Sequence, residues 1–351
     1  ALPLLIISYS SCISYAELIA SNSPLDANVI AGMSLLSCGL TGLLIPWHSN
    51  CPLIVSSVDM SVTIFYQHIV QDIVTGAGLH YSPTVVAATA LLALPVNAIL
   101  VSAVFCLVGH KQLMIVISYL PFPVVAGFLA SIGWNILTGS FAVLANTASS
   151  FPGNMLILLE THGAQLMCAM AVACCSVVLQ RCGVSPSICA VAPTILAITV
   201  FWSVWSFTVS DAVKSSQGPE WLFESDSFQV FWQVWTSQSP LEVSPELLVP
   251  KPLTFLSLGS VLLISQALRI AGIEGSTGTI LDQDREVKFA GVANLCAGLS
   301  GGIISSHSPG LTAFNMSVGS SDGQASILAA ILQLALWLSG LPARNLFPRY
   351  M

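Results

Sequence analysis

Apolar stretches of roughly 17 to 25 residues, the length that crosses a hydrocarbon layer, recur from one end of this chain to the other. By that criterion there are about eleven. The first covers residues 1–20 and carries a polar stripe, Ser8, Tyr9, Ser10, Ser11, Ser14 and Tyr15, that ends at Glu17. The others cover about 28–45, 51–70, 83–108, 119–144, 165–184, 186–207, 253–273, 289–299, 301–315 and 325–341. Two of them are interrupted. The run at 51–70 is broken by Ser56, Ser57, Asp59 and Ser61, and residues 301–315, GGIISSHSPGLTAFN, hold glycines, serines, a histidine and a proline. Such residues predict backbone that is not continuous helix. In a membrane, irregular backbone persists only where protein buries it or where it lines a cavity, and broken helices at mid-depth are how many transporters build a binding site.

The stretch at 210–252 reads differently. It mixes Asp211, Glu220, Glu224, Asp226, Glu242 and Glu246 with tryptophans and prolines and has no sustained apolar run, so it is expected to be an extramembrane loop between two halves. Each half then carries its interrupted run as its third segment, the layout of an inverted repeat. Two half-helices whose N-termini meet at mid-depth would aim free N–H groups and partial positive charge at one point, which favours an anion. Asp59, a carboxylate inside a spanning run, favours instead a cation, a proton or an ammonium group. His307 is read three ways: as a titratable group, as a donor to substrate, or as a structural residue tied to a backbone carbonyl. Elsewhere, Ala126, Gly127, Ala130 and Gly133 recur at helical spacing, and Gly298 and Gly302 form a small-xxx-small pair; both patterns predict close helix contact.

Composition narrows the class. Hydrophobic residues make up 55% of the 351 and charged residues 7%, with a mean hydropathy of +0.85, so this is no ordinary soluble domain. Sixteen acidic against nine basic residues give a net charge of −7 without a basic cluster, which argues against nucleic-acid partners. The cysteines sit in or beside apolar runs without metal-ligand spacing, so no metal and no cofactor is expected. Ser, His and Asp are all present at membrane depth, yet GxSxG, HExxH, P-loop and GxGxxG patterns are missing, and an enzyme is not expected. Starting inside one apolar run and stopping after another, the sequence reads as a piece of a longer protein. If each segment crosses once, Lys111, Arg181, Arg269, Arg285 and Lys288 share the cytosolic side, with Lys214 and Lys251 opposite; Arg344 and Arg349 run against that rule.

Three stretches carry a family resemblance: SYAELIA at 14–20, VGHKQLMIVISYLPFPVVAGFLASIGWNILTG at 108–139 and LDQDREVKFAGVANLCAGLSGG at 281–302. With the third segment they resemble the SulP sulfate permease family of anion transporters. The resemblance implies an all-α membrane protein of fourteen segments in two inverted repeats of seven, truncated here to about eleven. It further implies a core domain at 1–108 and 253–351, part of a gate domain at 109–209, a homodimer, and often a following STAS domain. The site so implied uses Ser56, Ser57 and Asp59 on one half-helix and Ser306, His307, Ser308, Gly310 and Leu311 on the other, flanked by Tyr15 and Gln266. Leu311 stands where typical members carry an arginine, and Gln266 where many carry a glutamate. Asp59 and His307 are closer to an atypical branch, one fungal vacuolar relative of which is associated with basic amino acids.

The expected function is secondary transport of a small charged solute, with a coupled proton or counter-ion, by a multi-pass protein of the plasma or an organellar membrane. An inorganic anion such as sulfate or bicarbonate is the family default and a cationic amino acid the alternative. A non-transporting sensor or scaffold on the same fold is the reading from another class.

Overall fold

The computed structural model describes the chain apart from residues 22, 59, 79, 120–122, 125, 128–129, 132, 135–137, 139–140, 142–154, 209–242, 249–251, 321 and 341–351. Asp59 and most of the acidic stretch at 210–252 therefore lie outside the described residues. Two compact units emerge: residues 1–136 with 230–339, and residues 137–229 with 340–351.

The first unit holds α1 (Leu2–Ala20), α2 (Ala27–His48), β1 (Ser56–Val58), α3 (Met60–Ala77) and α4 (Pro83–His110). A 3-10 turn (Met114–Tyr119) follows. In the second unit α5 (Met155–Arg181) packs on α6 (Pro186–Thr208). The first unit resumes with a short α7 (Pro245–Leu248), α8 (Pro252–Thr277), α9 (Gln283–Leu299), β2 (Ser305–His307), α10 (Pro309–Ser317) and α11 (Gln324–Ser339). Among the described residues, five helices are long and apolar enough to cross a bilayer.

Local chemistry sets several helix starts. Asp26 caps α2 by accepting from the Asn28 amide at 2.8 Å, and Asp282 caps α9 by accepting from Arg285 at 3.2 Å. Ser308 caps α10 the same way through Leu311, with Pro309 in the first turn, where a missing N–H costs nothing. The α9 helix begins at Gln283, so Asp284, Arg285, Glu286 and Lys288, which precede the apolar run at 289–299, are helical.

The helices α4 and α9 run antiparallel in intimate contact. A Cβ on Gly291 would meet the Cys106 amide at 2.8 Å and the Ser102 carbonyl at 2.9 Å, and one on Gly298 would meet the Pro95 carbonyl at 3.2 Å. The close approach expected of Gly298 is therefore present, and its partner is α4. Among the described residues, no atom lies within 4 Å of an added Cβ at Gly127 or Gly133. Small residues permit close packing, but a second backbone must arrive to use it.

Candidate functional site

The two interrupted segments meet as a two-stranded antiparallel ribbon. Ser56 faces His307, Ser57 faces Ser306 and Val58 faces Ser305. The ribbon explains how irregular backbone survives inside the protein, since each strand supplies the other's hydrogen-bonding partners. Its outer edges are closed as well. On α9, Asn294 accepts from the Ser305 amide and donates to the Ser305 carbonyl, both at 2.8 Å. Tyr66 on α3 accepts from the Ile304 amide at 3.3 Å, and the Ser308 amide donates to the Val55 carbonyl at 2.9 Å. Gly301 has φ +90, the left-handed conformation in which a side chain is strained, and it turns the chain out of α9 towards β2.

Each strand feeds directly into a helix: β1 into α3 and β2 into α10. Because the strands are antiparallel, the two helix N-termini point at the ribbon from opposite ends. Both contribute partial positive charge there. On α10 the helix itself provides no acceptor for its first amides, Gly310 among them, and Gly310 is exposed with open space around its Cα.

Side chains alternate across the ribbon, so register partners share a face. On one face Ser56, Ser305 and His307 enter a dense polar network. Thr41 on α2 donates to the Ser37 carbonyl at 2.7 Å and lies 2.7 Å from the Ser56 hydroxyl and 2.6 Å from that of Ser305. One donor and two lone pairs are thereby used in full. Beside it the fully buried His307 ring contacts the Gln266 amide through Nδ1 and the Glu286 carboxylate through Nε2, the latter at 3.1 Å. Glu286 is 2% exposed and also accepts from Ser49 at 2.6 Å. The other face carries Ser57 and Ser306. Both are buried, and among the described residues the Ser306 hydroxyl has no hydrogen-bond partner.

A cation reaches this junction. Arg269 on α8 donates from its guanidinium to the His307 carbonyl at 3.1 Å and to Ser265 at 3.3 Å; Ser265 in turn pairs with Ser61 in the first turn of α3 at 3.2 Å. A Cβ on Gly272, one turn further along α8, would sit 3.2 Å from Pro309, so α8 runs hard against the start of α10.

The structure thus gathers Ser56, Ser57, Ser306, His307, Ser308, Gly310 and Gln266 around one ribbon. Tyr15 is half-buried near the end of α1, the helix that packs on β1. Leu311 instead joins an apolar cluster with Leu4, Val55 and Ala329. Two residues at the junction, Arg269 and Glu286, are not among the site residues expected from the sequence, where Arg269 counts with the charges of one membrane face. For Glu286 no local signal distinguishes it from its charged neighbours. For Arg269 the signal was available: with Gln266 and Ser265 it forms a polar stripe inside an apolar run.

The sequence model of the sulfate permease family matches residues 13–351. No curated protein is matched by sequence. Among solved structures the chain is similar to the transmembrane domain of BicA, a bicarbonate transporter of a cyanobacterium, at TM-score 0.67 and 14% identity, over 99% of this chain and 84% of that one. It is also similar to SLC26A9, at TM-score 0.63 and 14% identity over 99% of this chain and 55% of that one. The murine solute carrier 26 family member A9 anion transporter in its inward-facing state gives TM-score 0.65 and 12% identity, over the whole of this chain and 58% of that one. The chain therefore spans little more than half of either solute carrier. At such identities the likeness is one of fold.

Proposed function

From the premise that this chain belongs to the sulfate permease family and is an integral, multi-pass membrane protein, we propose that it moves a small inorganic anion across the bilayer. The solute sits on the Ser57 and Ser306 face of the ribbon, between the N-termini of α3 and α10. Bicarbonate, named for the cyanobacterial relative, and sulfate, named for the family, are the first candidates. The observation that carries this reading is the Arg269 guanidinium held on the His307 carbonyl, one residue from the Ser306 hydroxyl that has no partner among the described residues. Among the described charged groups at the junction, Arg269 offsets Glu286, and the helix N-termini supply the remaining positive potential. The basic group missing at Leu311 is thus supplied from α8.

Flux of labelled sulfate, bicarbonate, nitrate and arginine into vesicles containing the purified protein tests this. A hydrogen bond to a charged group contributes about 1.5–3 kcal/mol, so Ser306→Ala is expected to weaken anion uptake roughly 10- to 100-fold, and Arg269→Leu at least as much, with Arg269→Lys intermediate. Unchanged anion uptake in Arg269→Leu, or uptake of arginine in preference to every anion, would overturn it.

A further inference from the structure

The His307 ring and its two partners form a buried titratable unit for which anion binding alone has no use. The ring is fully buried and Glu286 nearly so, on different elements, β2 and α9. An ionised carboxylate only accepts hydrogen bonds, so Glu286 takes the Ser49 hydroxyl at one oxygen and must take the Nε2–H of His307 at the other. In the neutral ring Nδ1 is then an acceptor, and it faces the amide nitrogen of Gln266. That arrangement leaves the Gln266 carbonyl oxygen buried with no donor. A buried acceptor without a donor is costly.

One added proton gives that oxygen a donor. When Nδ1 takes a proton from water, both ring nitrogens donate: Nε2–H to Glu286 and Nδ1–H to Gln266. Gln266 turns its amide over so that its oxygen accepts, and its NH2 swings to where that oxygen had been. No covalent bond other than the new N–H forms, and the proton leaves by the reverse step.

The charged groups facing the ring from the described elements are few. Glu286 approaches from α9 and the Arg269 guanidinium from α8, on the His307 carbonyl; Ser49 and Gln266 are neutral. Arg285 points elsewhere, to Asn50 and the His48 carbonyl. Protonation of the ring adds one positive charge to the junction. That charge lies one residue from Ser306 and two from the first residue of α10.

We propose that the Glu286, His307 and Gln266 unit is the binding site of a coupled proton: His307 takes up one proton as the anion binds on the Ser306 face and gives it up as the anion leaves. The inference rests on the anion-transport reading above. Coupling is reciprocal, so the proton raises anion affinity by the factor by which the anion raises proton affinity. Coupled sites typically interact by a factor of about 5 to 150.

Two measurements on the intact protein decide it. In vesicles holding a pH-sensitive dye, inward gradients of sulfate, nitrate and chloride are imposed in turn, and proton movement per anion is read for the wild type, Glu286→Gln and Gln266→Glu. The wild type is expected to acidify the lumen as anion enters. Both variants are expected to lose proton movement per anion, because the first removes the carboxylate that steadies the imidazolium and the second holds the ring protonated throughout. Wild-type anion entry without acidification, or unchanged proton movement per anion in both variants, overturns the proposal. Nitrogen NMR of histidine-labelled wild type in bilayers needs no variant to fold. The second N–H of His307 is expected to be more populated with sulfate present than without it at the same pH. A ring that carries the same N–H population with and without every anion the protein binds overturns it too. If none of the three anions moves at all, the transport reading falls, and the ring titration still decides the proton site by itself.

Discussion

Thr41 shows how much of the ribbon hangs on single hydroxyl groups. Its side chain is fully buried on α2 and holds one serine from each strand, residues separated in sequence by 249 positions. Replacing it with valine keeps the shape but removes the hydroxyl that contacts both Ser56 and Ser305. Thr41→Val is therefore expected to destabilise the fold by about 1–3 kcal/mol, and Thr41→Ser to restore most of that, as read from denaturant titration in bicelles. Equal stability of the two variants would mean that water or another group replaces the threonine. The same scale explains which site residues were readable in the sequence. Ser56, Ser57, Ser306 and His307 stand out because a polar residue in an apolar run is expensive wherever it ends up. Glu286 does not, since a charge just before an apolar run looks like an interface residue until its neighbours are known. Leu311 carries the opposite lesson: its place in the motif suggested the site, and its side chain packs on Leu4 and Val55.

At the scale of elements, the pairing of α4 with α9 sets the position of β2. Residues from one to the other end of α9 touch α4, and Asn294, on the same helix, holds the Ser305 backbone. Gly291 lies in this contact with backbone atoms of α4 on its open side, and those cannot move aside as a flexible side chain does. Gly291→Ala is expected to cost about 1–3 kcal/mol through overpacking, whereas Gly310→Ala, whose Cβ meets open space, is expected to leave the folded fraction unchanged. Thermal unfolding in detergent distinguishes them, and equal loss in both would contradict the packing described. The breaks themselves were legible in the sequence, because glycine, proline and serine act on the backbone locally. That the breaks become strands, pair with each other and run antiparallel was not, since pairing depends on what two distant segments meet.

For the whole molecule, the end of α4 and the start of α9 lie together: the Met114 amide donates to the Asp284 carboxylate at 3.0 Å, and a Cβ on Gly109 would meet Lys288 at 2.7 Å. Lys111, Arg285 and Lys288 thus gather at one end of the first unit, and Arg285 ties down the end of α2 through the His48 carbonyl at 2.9 Å. Arg269 does not belong to that surface set, since its guanidinium is spent inside. Basic residues at one end mark the cytosolic side, so an epitope inserted after Lys111 is expected to be reached by antibody only after the membrane is permeabilised. Staining of intact cells would reverse the orientation. The sequence by itself determined that this chain crosses the membrane repeatedly and that two of its segments are broken, because hydropathy and backbone preference are properties of neighbouring residues. Only the tertiary structure decided what those breaks become. It paired Ser57 with Ser306, brought Arg269 to the His307 carbonyl and set Glu286 against the imidazole, because the field at a buried site is the sum over groups that the chain itself keeps far apart.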